Sequence, residues 1–299
     1  MAAAAITCRE LILATSTEDD CRQWLRGRGL LAVHMDCPTC NVPMAEKVYT
    51  RVLDGKIWRC PQKQCRKVVS LRKGSFFDKT KLPLTKLTDM LYYWSMEVSN
   101  AQAQFQLGVD HKTVTDWNNF VREVCSADLM ANPFQIGGPG WVVAIDESVV
   151  ARAKPGNAAA RPVPPQWVFG GVEIGTDIFF MELVPQRNAA TLVPIIQRYI
   201  RPGTRIWGDE WAAYNGLNAI GYIHETVNHS RYYVDPVTGV HTNNIEARWS
   251  ACKSTFKRRY GIARHLLPSY IDEYMWRSVH RRPDVFCALT DAIRRQYPV

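Results

Sequence analysis

The periodicity of apolar residues divides the chain into a helical first half and a second half rich in strands. Apolar side chains recur at helical spacing from Leu84 to Trp94, and two more helices are predicted at about residues 99–107 and 111–125, with Gly108 in the turn between them. After a glycine- and proline-rich linker at residues 133–140, the spacing becomes that of strands. The pattern therefore predicts separate domains on either side of this linker.

Five strands are predicted beyond the linker, at residues 141–150, 167–174, 178–184, 204–208 and 222–227. Helices are predicted at residues 189–200 and 211–219, and a further helix begins after residue 241. Three strands, then helix, strand, helix, strand and helix is the order expected of an RNase H-like α/β fold. We therefore predict an RNase H-like catalytic domain at residues 139–265, with a C-terminal helical segment at residues 266–299 packed on it.

Four of the nine cysteines form two close pairs in the first half of the chain. Two residues separate Cys37 from Cys40, and four separate Cys60 from Cys65. Such pairs are typical of a zinc ribbon, in which four thiolates bind one structural Zn²⁺. His34 is close enough in sequence to replace one thiolate, and the alternative to a metal site is a set of buried or free cysteines. We predict a helical lead-in at residues 1–30 and the ribbon at residues 31–75.

The two helices around Gly108 are typical of a helix-turn-helix domain, which we place at residues 80–130. Asp110 is predicted to cap the second helix, with Val114 and Trp117 packed inward. The alternative is a three-helix bundle without a role in DNA binding. The residues expected to face the major groove are His111, Lys112, Thr115 and Asn118.

Charge is concentrated in the segment that joins the cysteine pairs to these helices. The chain has 37 Lys and Arg against 28 Asp and Glu, a formal charge of +9, and residues 51–86 contain eleven basic and two acidic side chains. Such a segment suits a polyanion such as DNA. The N-terminus lacks the cationic start of a signal peptide, and no apolar run is long enough to span a membrane, so we expect an intracellular protein without a membrane partner.

Three acidic residues lie in or directly after predicted elements of the second half of the chain. Asp146 lies in the strand 141–150, Asp209 directly follows the strand 204–208, and Glu246 lies in the first turns of the helix after residue 241. Carboxylates are preferred ligands of hard divalent ions such as Mg²⁺. Two such ions together promote phosphodiester cleavage. Because strand side chains alternate, only one of Asp146 and Glu147 can enter such a site, and we choose Asp146. The alternatives are ordinary strand-end polar residues and, for Glu246, a capping box.

The helix of Glu246 has a predicted apolar stripe, formed by Ile245, Trp249, Cys252 and Phe256, and a basic side. Residues 248–265 contain six Lys or Arg and no acid, which favours contact with a DNA backbone. Three histidines, His224, His229 and His241, precede Glu246, and we expect them to support the site, with His241 nearest to it. The DNA contacts predicted from this helix are Lys253, Lys257, Arg258 and Arg259.

Several motifs together resemble the DDE transposases of the Merlin superfamily, which are related to bacterial insertion-sequence transposases. They include Ala144-Ile-Asp-Glu-Ser148, Gly208-Asp-Glu-Trp-Ala-Ala-Tyr214 and the segment from Val234 to Glu246. The resemblance implies that Asp146, Asp209 and Glu246 form the DDE triad and bind two Mg²⁺ or Mn²⁺ ions. One departure is the loop at residues 154–165, where Lys154-Pro-Gly-Asn157 is followed by three alanines, so DNA contacts from this loop are not expected.

The predicted function is that of a DNA transposase that acts on double-stranded DNA. It binds terminal inverted repeats, cleaves at the transposon ends and joins the freed 3′-hydroxyl ends to target DNA. Paired cutting implies a homodimer or larger synaptic complex, and a eukaryotic host would place the protein in the nucleus. The alternatives are a transposase-derived DNA-binding regulator without catalytic activity and a hydrolytic nuclease that does not join strands.

Overall fold

The computed structural model describes residues 5–151, 164–176, 178–227, 234–259, 261–280 and 283–299. Most of the loop predicted at residues 154–165 and the histidine at position 229 lie outside these ranges. The chain forms two compact units, residues 1–128 with 280–299 and residues 129–279, and each is described by itself. Within the described ranges, no helix is long and apolar enough to cross a bilayer.

The elements up to the linker are helices and one small sheet. They are α1 (Cys8–Ala14), α2 (Glu18–Gly27), β1 (Ala45–Val48), β2 (Lys56–Arg59), β3 (Val68–Ser70), α3 (Leu84–Ser95), α4 (Asn100–Leu107) and α5 (His111–Ala131). The three strands form an antiparallel sheet in the order β1-β2-β3. The side chains of Thr7 and Thr17 cap α1 and α2. The helical lead-in is therefore a pair of capped helices.

The elements beyond the linker are β4 (Val142–Ala151), β5 (Gln166–Glu173), β6 (Phe179–Val184), α6 (Ala189–Tyr199), β7 (Arg205–Asp209), β8 (Ile223–Val227), α7 (Asn243–Arg258), α8 (Leu267–Val279) and α9 (Val285–Gln296). The helix predicted at residues 211–219 is instead two short 3₁₀ turns, Ala212–Tyr214 and Leu217–Ile220. Gly216 separates the two turns, and Gly221 ends the second in the left-handed region at φ 93°. Glycine at both positions favours short turns over a continuous helix.

The helices α3 to α5 follow the predicted pattern. The predicted apolar stripe of α3 is buried, and α4 ends at Gly108 in the left-handed conformation. The Asp110 carboxylate accepts a hydrogen bond from the backbone N–H of Thr113 at 2.8 Å, which caps the start of α5. Val114 and Trp117 are buried on its inner side. The helices predicted on either side of Gly108 are therefore present in the structure, and a DNA-binding helix-turn-helix domain at this place stays a prediction.

The C-terminal segment differs from the prediction that residues 266–299 as a whole pack on the catalytic domain. Helix α8 packs against β6, but α9 packs against α3. The ring of Phe286 lies 5.2 Å from that of Tyr92 and 6.0 Å from that of Trp24. The apolar side of α9 therefore completes the core of the N-terminal unit.

The second unit is built on a five-stranded mixed sheet in the order β6-β5-β4-β7-β8. The first three strands pair antiparallel, and β4, β7 and β8 run parallel. The element order agrees with the prediction apart from the 3₁₀ turns. The sheet is mixed because only the later strands are joined by crossover connections, which allow parallel pairing.

Helices cover both faces of this sheet. On one face, α6 packs through Tyr199, whose ring stacks on Phe180 at 4.7 Å. On the other face lie α7 and α8, where Tyr274 contacts Phe179 at a ring distance of 4.8 Å. Because strand side chains alternate, each residue of β4 faces one of these two layers. This arrangement determines which acidic residues can meet.

Candidate active site and zinc centre

Asp146 and Asp209 lie on the same face of the sheet. In the parallel pairing of β4 with β7, Ala144 is opposite Trp207. Asp146 and Asp209 are each two residues further along their strands, so both side chains point to the face covered by α7. The strand pattern that selected the two residues from the sequence thus also brings them onto neighbouring strands.

Helix α7 brings Glu246 to these carboxylates. The indole N–H of Trp249 donates a hydrogen bond to Oδ2 of Asp146 at 2.9 Å, which joins the helix to β4. Glu246 lies one turn earlier and accepts a hydrogen bond from the Thr242 hydroxyl at 2.9 Å. Thr242 is the N-cap residue and makes no side-chain cap bond, so Glu246 is not part of a capping box. The structural alternative for Glu246 therefore fails.

The charges of the three acids act on one another, although Asp146 and Asp209 are partly buried and Glu246 is exposed. Burial, together with the charges of Asp209 and Glu246, raises the pKa of Asp146 to about 6, while the Trp249 hydrogen bond opposes the shift. A buried carboxylate surrounded by like charges favours a bound cation. The chemistry of this donor set, three carboxylates, suits a hard divalent ion such as Mg²⁺ or Mn²⁺.

A glycine on the neighbouring strand makes room for Trp249. Gly170 lies opposite Asp146 in the antiparallel pairing of β4 with β5. A Cβ atom at this position would lie 2.5 Å from the carbonyl oxygen of Phe180 and 2.8 Å from Cη2 of Trp249. Only glycine therefore lets the indole lie against the sheet and reach Asp146. Trp249 belonged to the predicted apolar stripe of the helix, and the sequence gave no sign of its hydrogen bond to the carboxylate.

Glu147 points to the opposite face, as the strand alternation predicts. The Tyr214 hydroxyl donates a hydrogen bond to its carboxylate. Burial raises the pKa of Glu147 to about 7, although this hydrogen bond opposes the shift. Beside it lies His224, whose ring is 5.9 Å from that of Tyr214 and whose pKa is lowered by burial. These side chains support the sheet from behind the three acids.

The basic residues of α7 have different surroundings. Lys253 donates a hydrogen bond to the Ser148 hydroxyl at 2.7 Å and so lies over the face of Asp146. Lys257 and Arg258 are exposed. Arg259 lies over the ring of Tyr270 and 3.6 Å from the carboxylate of Glu273, where it joins α7 to α8. Of the four predicted DNA contacts, Arg259 is therefore already engaged within the protein.

His241 lies on the acidic face but contacts none of the acids directly. Its ring packs edge-on against Trp207 at 5.2 Å, and Trp207 precedes Asp209 by two residues. Within the described ranges, Nδ1 of His241 and Nε2 of His224 are buried without a hydrogen-bond partner. Both histidines are packing residues in this structure, and the third predicted histidine, His229, falls outside the described residues.

The predicted groove-facing residues of α5 are likewise not equivalent. His111 and Lys112 are exposed. Thr115 donates its hydroxyl hydrogen bond to the His111 carbonyl at 2.9 Å. Asn118 is partly buried and donates to the side chain of Asn100 at 2.9 Å, which joins α5 to α4. Asn118 therefore holds the two helices together in this structure.

The four paired cysteines converge at one end of the small sheet. Their Sγ atoms all lie within 4.8 Å of one another, with Cys37 and Cys65 at 3.5 Å and Cys40 and Cys60 at 3.4 Å. A tetrahedral Zn²⁺ with bonds of about 2.3 Å separates its sulfur ligands by about 3.8 Å, so the cluster fits zinc closely. His34 is not part of the cluster.

Backbone hydrogen bonds favour the thiolate form at one of the four cysteines, whereas the neighbouring thiols raise the pKa of Cys40 and burial raises that of Cys60. Burial tends to raise the pKa of Cys37, but backbone hydrogen bonds from Thr39 and Cys40 lower it to about 6. A thiolate is the form that binds zinc. Among the described residues, only the four cysteines form a group of possible metal ligands within 4.8 Å of one another. The ligand atoms of the three carboxylates are therefore spaced more widely.

Comparison with known proteins points to the same half of the chain. Residues 142–278 match the family model described as ISXO2-like transposase domain. An uncharacterised transposase-like protein of Haemophilus influenzae is 27% identical over 95 residues, which cover 32% of this chain and 76% of that protein. Residues 142–278 are thus similar to transposase domains of the insertion-sequence type, and this region contains every element that carries the three acids.

Solved structures with partial similarity are retroviral integrases. The catalytic core domain of BIV integrase aligns with 47% of this chain and 84% of its own length, at 11% identity and a TM-score of 0.32. The simian T-cell lymphotropic virus intasome in complex with a PP2A regulatory subunit aligns with 63% of this chain and 67% of its own, at 12% identity and a TM-score of 0.32.

Proposed function

We propose that this protein is a metal-dependent DDE transposase, related to the Merlin superfamily, that cleaves DNA at transposon ends and joins those ends to target DNA. One observation carries the proposal. Asp146, Asp209 and Glu246 come together on one face of the sheet, within the residues similar to transposase domains. Three carboxylates in this arrangement suit phosphodiester chemistry.

The reaction has two steps with the same chemistry. Water attacks the phosphorus at the transposon end, and the bond to the 3′ oxygen breaks, which leaves a free 3′-hydroxyl. That hydroxyl then attacks a phosphodiester of target DNA, whose own 3′ oxygen departs. Two Mg²⁺ or Mn²⁺ ions, when bound, would activate the nucleophile and neutralise charge on the leaving oxygen.

The protein's own side chains hold and orient the DNA and the acids. Trp249 fixes the orientation of Asp146 through its indole hydrogen bond. Lys253, which donates a hydrogen bond to Ser148 on the same face, would contact the phosphate next to the cleaved bond. Lys257 and Arg258 extend this basic surface along α7. Arg259, which pairs with Glu273 at 3.6 Å, would have to leave that pair to contact DNA.

The N-terminal unit would recognise the terminal inverted repeats. A zinc ribbon held by four thiolates provides a rigid basic surface, and α5 offers the exposed His111 and Lys112 to the major groove. Because two transposon ends are cut together, we propose a homodimer or larger complex on DNA. Zn²⁺ would be structural in this scheme.

The test is cleavage and joining of DNA that contains the short inverted repeats flanking the gene. With Mg²⁺, the wild type should release 3′-hydroxyl ends and produce joined products. Asp146→Asn should bind this DNA but not cut it, while the control Asp291→Asn, an exposed residue of α9, should do both. Cleavage by Asp146→Asn would refute the assignment. Binding without cleavage by the wild type would indicate a DNA-binding regulator, and nicks without joined products would indicate a nuclease.

A further inference from the structure

An arginine lies between two tryptophans beside the proposed active site. The guanidinium carbon of Arg187 is 3.9 Å from the ring centroid of Trp167 and 5.3 Å from that of Trp211. The indole N–H of Trp211 donates a hydrogen bond to the Arg187 carbonyl oxygen at 2.9 Å. We call these three residues the Arg187 stack. Its members come from β5, the loop before α6 and the loop after β7, and they are held in one arrangement.

The Arg187 stack adjoins one of the three acids, Asp209. The backbone N–H of Trp211 donates to Oδ1 of Asp209 at 3.1 Å. Trp167 pairs with Val149 on β4, so its side chain lies on the face of Glu147 and not on that of Asp146. Arg187 is close enough to Glu147 for its charge to act on that carboxyl. A nucleotide bound at Asp209 would therefore lie next to Trp211, at the edge of the stack.

The exposed groups of the stack are those that bind a nucleotide. Trp211 is 40% exposed, although most of the large side chains around the sheet are buried. Within the described ranges, the Arg187 guanidinium forms neither a hydrogen bond nor an ion pair with a carboxylate, and the residue is partly exposed. An open indole face binds a base by stacking, and a guanidinium edge binds a phosphate.

We propose that the Arg187 stack binds one unpaired nucleotide of the DNA strand next to the cleaved bond. The base stacks on the open face of Trp211, and its phosphate contacts the guanidinium of Arg187. In a duplex both faces of each base are covered by its neighbours, so this contact requires a nucleotide that has left the base stack. The inference rests on the proposed function, because it assumes that DNA is the substrate of the adjacent acids.

The experiment compares two labelled single-stranded oligonucleotides of equal length and charge. One is oligothymidylate, and in the other an abasic residue replaces every base. Fluorescence anisotropy measures both dissociation constants for the full chain without Mg²⁺ or Mn²⁺. The wild type should prefer the oligonucleotide with bases, and Trp211→Ala should reduce that preference by about 5- to 150-fold, the loss of one stacked base. Phosphate contacts elsewhere on the protein do not change the ratio of the two dissociation constants, because both oligonucleotides make them.

Two further variants make the comparison specific. Trp141→Ala removes a tryptophan of similar exposure, 46%, just before β4 begins, and should keep the wild-type preference. Arg187→Gln should weaken binding of both oligonucleotides, because it removes a phosphate contact. Circular dichroism should show the wild-type fold for each variant. An unchanged preference in Trp211→Ala would overturn the inference, as would an equal loss in Trp141→Ala.

The outcome does not depend on catalysis. If the wild type never cuts DNA but its preference for bases requires Trp211, the stack is a nucleotide site and only the proposed function fails. If the wild type cuts and joins DNA while Trp211→Ala retains the full preference, the proposed function stands and the assignment of the stack fails.

Discussion

Burial of the Asp146 carboxylate predicts that this group lowers the stability of the protein when no divalent ion is bound. Burial, with help from Asp209 and Glu246, raises its pKa from 3.8 to about 6. A carboxyl with a higher pKa in the folded than in the unfolded state destabilises the fold once it ionises. The substitution Asp146→Asn removes the charge but keeps an oxygen that can accept the Trp249 hydrogen bond. The variant should therefore be more stable than the wild type at pH 7.

The size and pH window of the effect follow from the pKa shift. A difference of about 2 pKa units corresponds to about 3 kcal/mol in the free energy of unfolding. Below about pH 4 the carboxyl is protonated in both states, so the wild type and the variant should be equally stable. The wild type should lose stability relative to the variant between about pH 4 and pH 6, and the full difference should persist above that range.

Urea unfolding of zinc-loaded protein, in buffers without Mg²⁺ or Mn²⁺, measures this difference. The matched control is Asp235→Asn. Hydrogen bonds from the backbone N–H of Thr238 and Val237 lower the pKa of Asp235, so its charged form stabilises the fold. That variant should gain no stability at pH 7. Added Mg²⁺ should stabilise the wild type more than Asp146→Asn, because the ion binds the ionised site.

Two results would refute this reasoning. The first is an Asp146→Asn variant that is less stable than the wild type at pH 7. The second is a difference between the two proteins that is the same at pH 4 and pH 7, because a charge effect must disappear where the carboxyl is protonated.

Three further predictions concern groups around the two metal sites. Trp249→Phe removes a hydrogen bond to the ionised Asp146, so the pKa of Asp146 should rise by about one to two units, and Mn²⁺ titrations should show binding that begins at a correspondingly higher pH. Mn²⁺ binding with the pH dependence of the wild type would contradict a role for the Trp249 indole. Gly170→Ala forces its new Cβ against the Phe180 carbonyl and Trp249. The variant should lower the free energy of unfolding by about 1–3 kcal/mol or more and reduce DNA cleavage. The control is Gly175→Ala, where no atom lies within 4 Å of an added Cβ, and it should lose only the stability that its positive φ costs. Cys37→Ser should reduce the bound zinc, measured by atomic absorption, from one ion per chain towards zero, and it should lower the melting temperature. The control Cys8→Ser, at an exposed cysteine outside the cluster, should change neither quantity.

Local periodicity was sufficient to predict most of the elements, apart from the helix at residues 211–219, and to single out the three acids as candidates. The apolar stripe of α3 and the cap at Asp110 depend on residues within a turn or two of one another, so the sequence shows them directly. Asp146 and Asp209 were found because each lies in or at the end of an apolar strand. The side chains of parallel strands then meet through the regular geometry of the sheet.

Contacts between distant segments could not be predicted in this way. Trp249 fitted an apolar stripe, and that pattern does not show that the indole N–H reaches a carboxylate 103 residues earlier in the chain. The Arg187 stack requires three segments to meet, and none of them has a distinctive local pattern. Periodicity also does not show which surface covers the apolar side of α9. Asn118 was predicted to face the major groove because the sequence does not show its hydrogen-bond partner on another helix.

The central claim is that Asp146, Asp209 and Glu246 bind divalent ions together, and anomalous diffraction from crystals soaked in Mn²⁺ tests it most directly. We predict anomalous peaks within about 2.0–2.4 Å of oxygens from these carboxylates. Asp146→Asn crystals soaked in the same way should lack them. Manganese that binds elsewhere while these carboxylates remain without an ion would contradict the account.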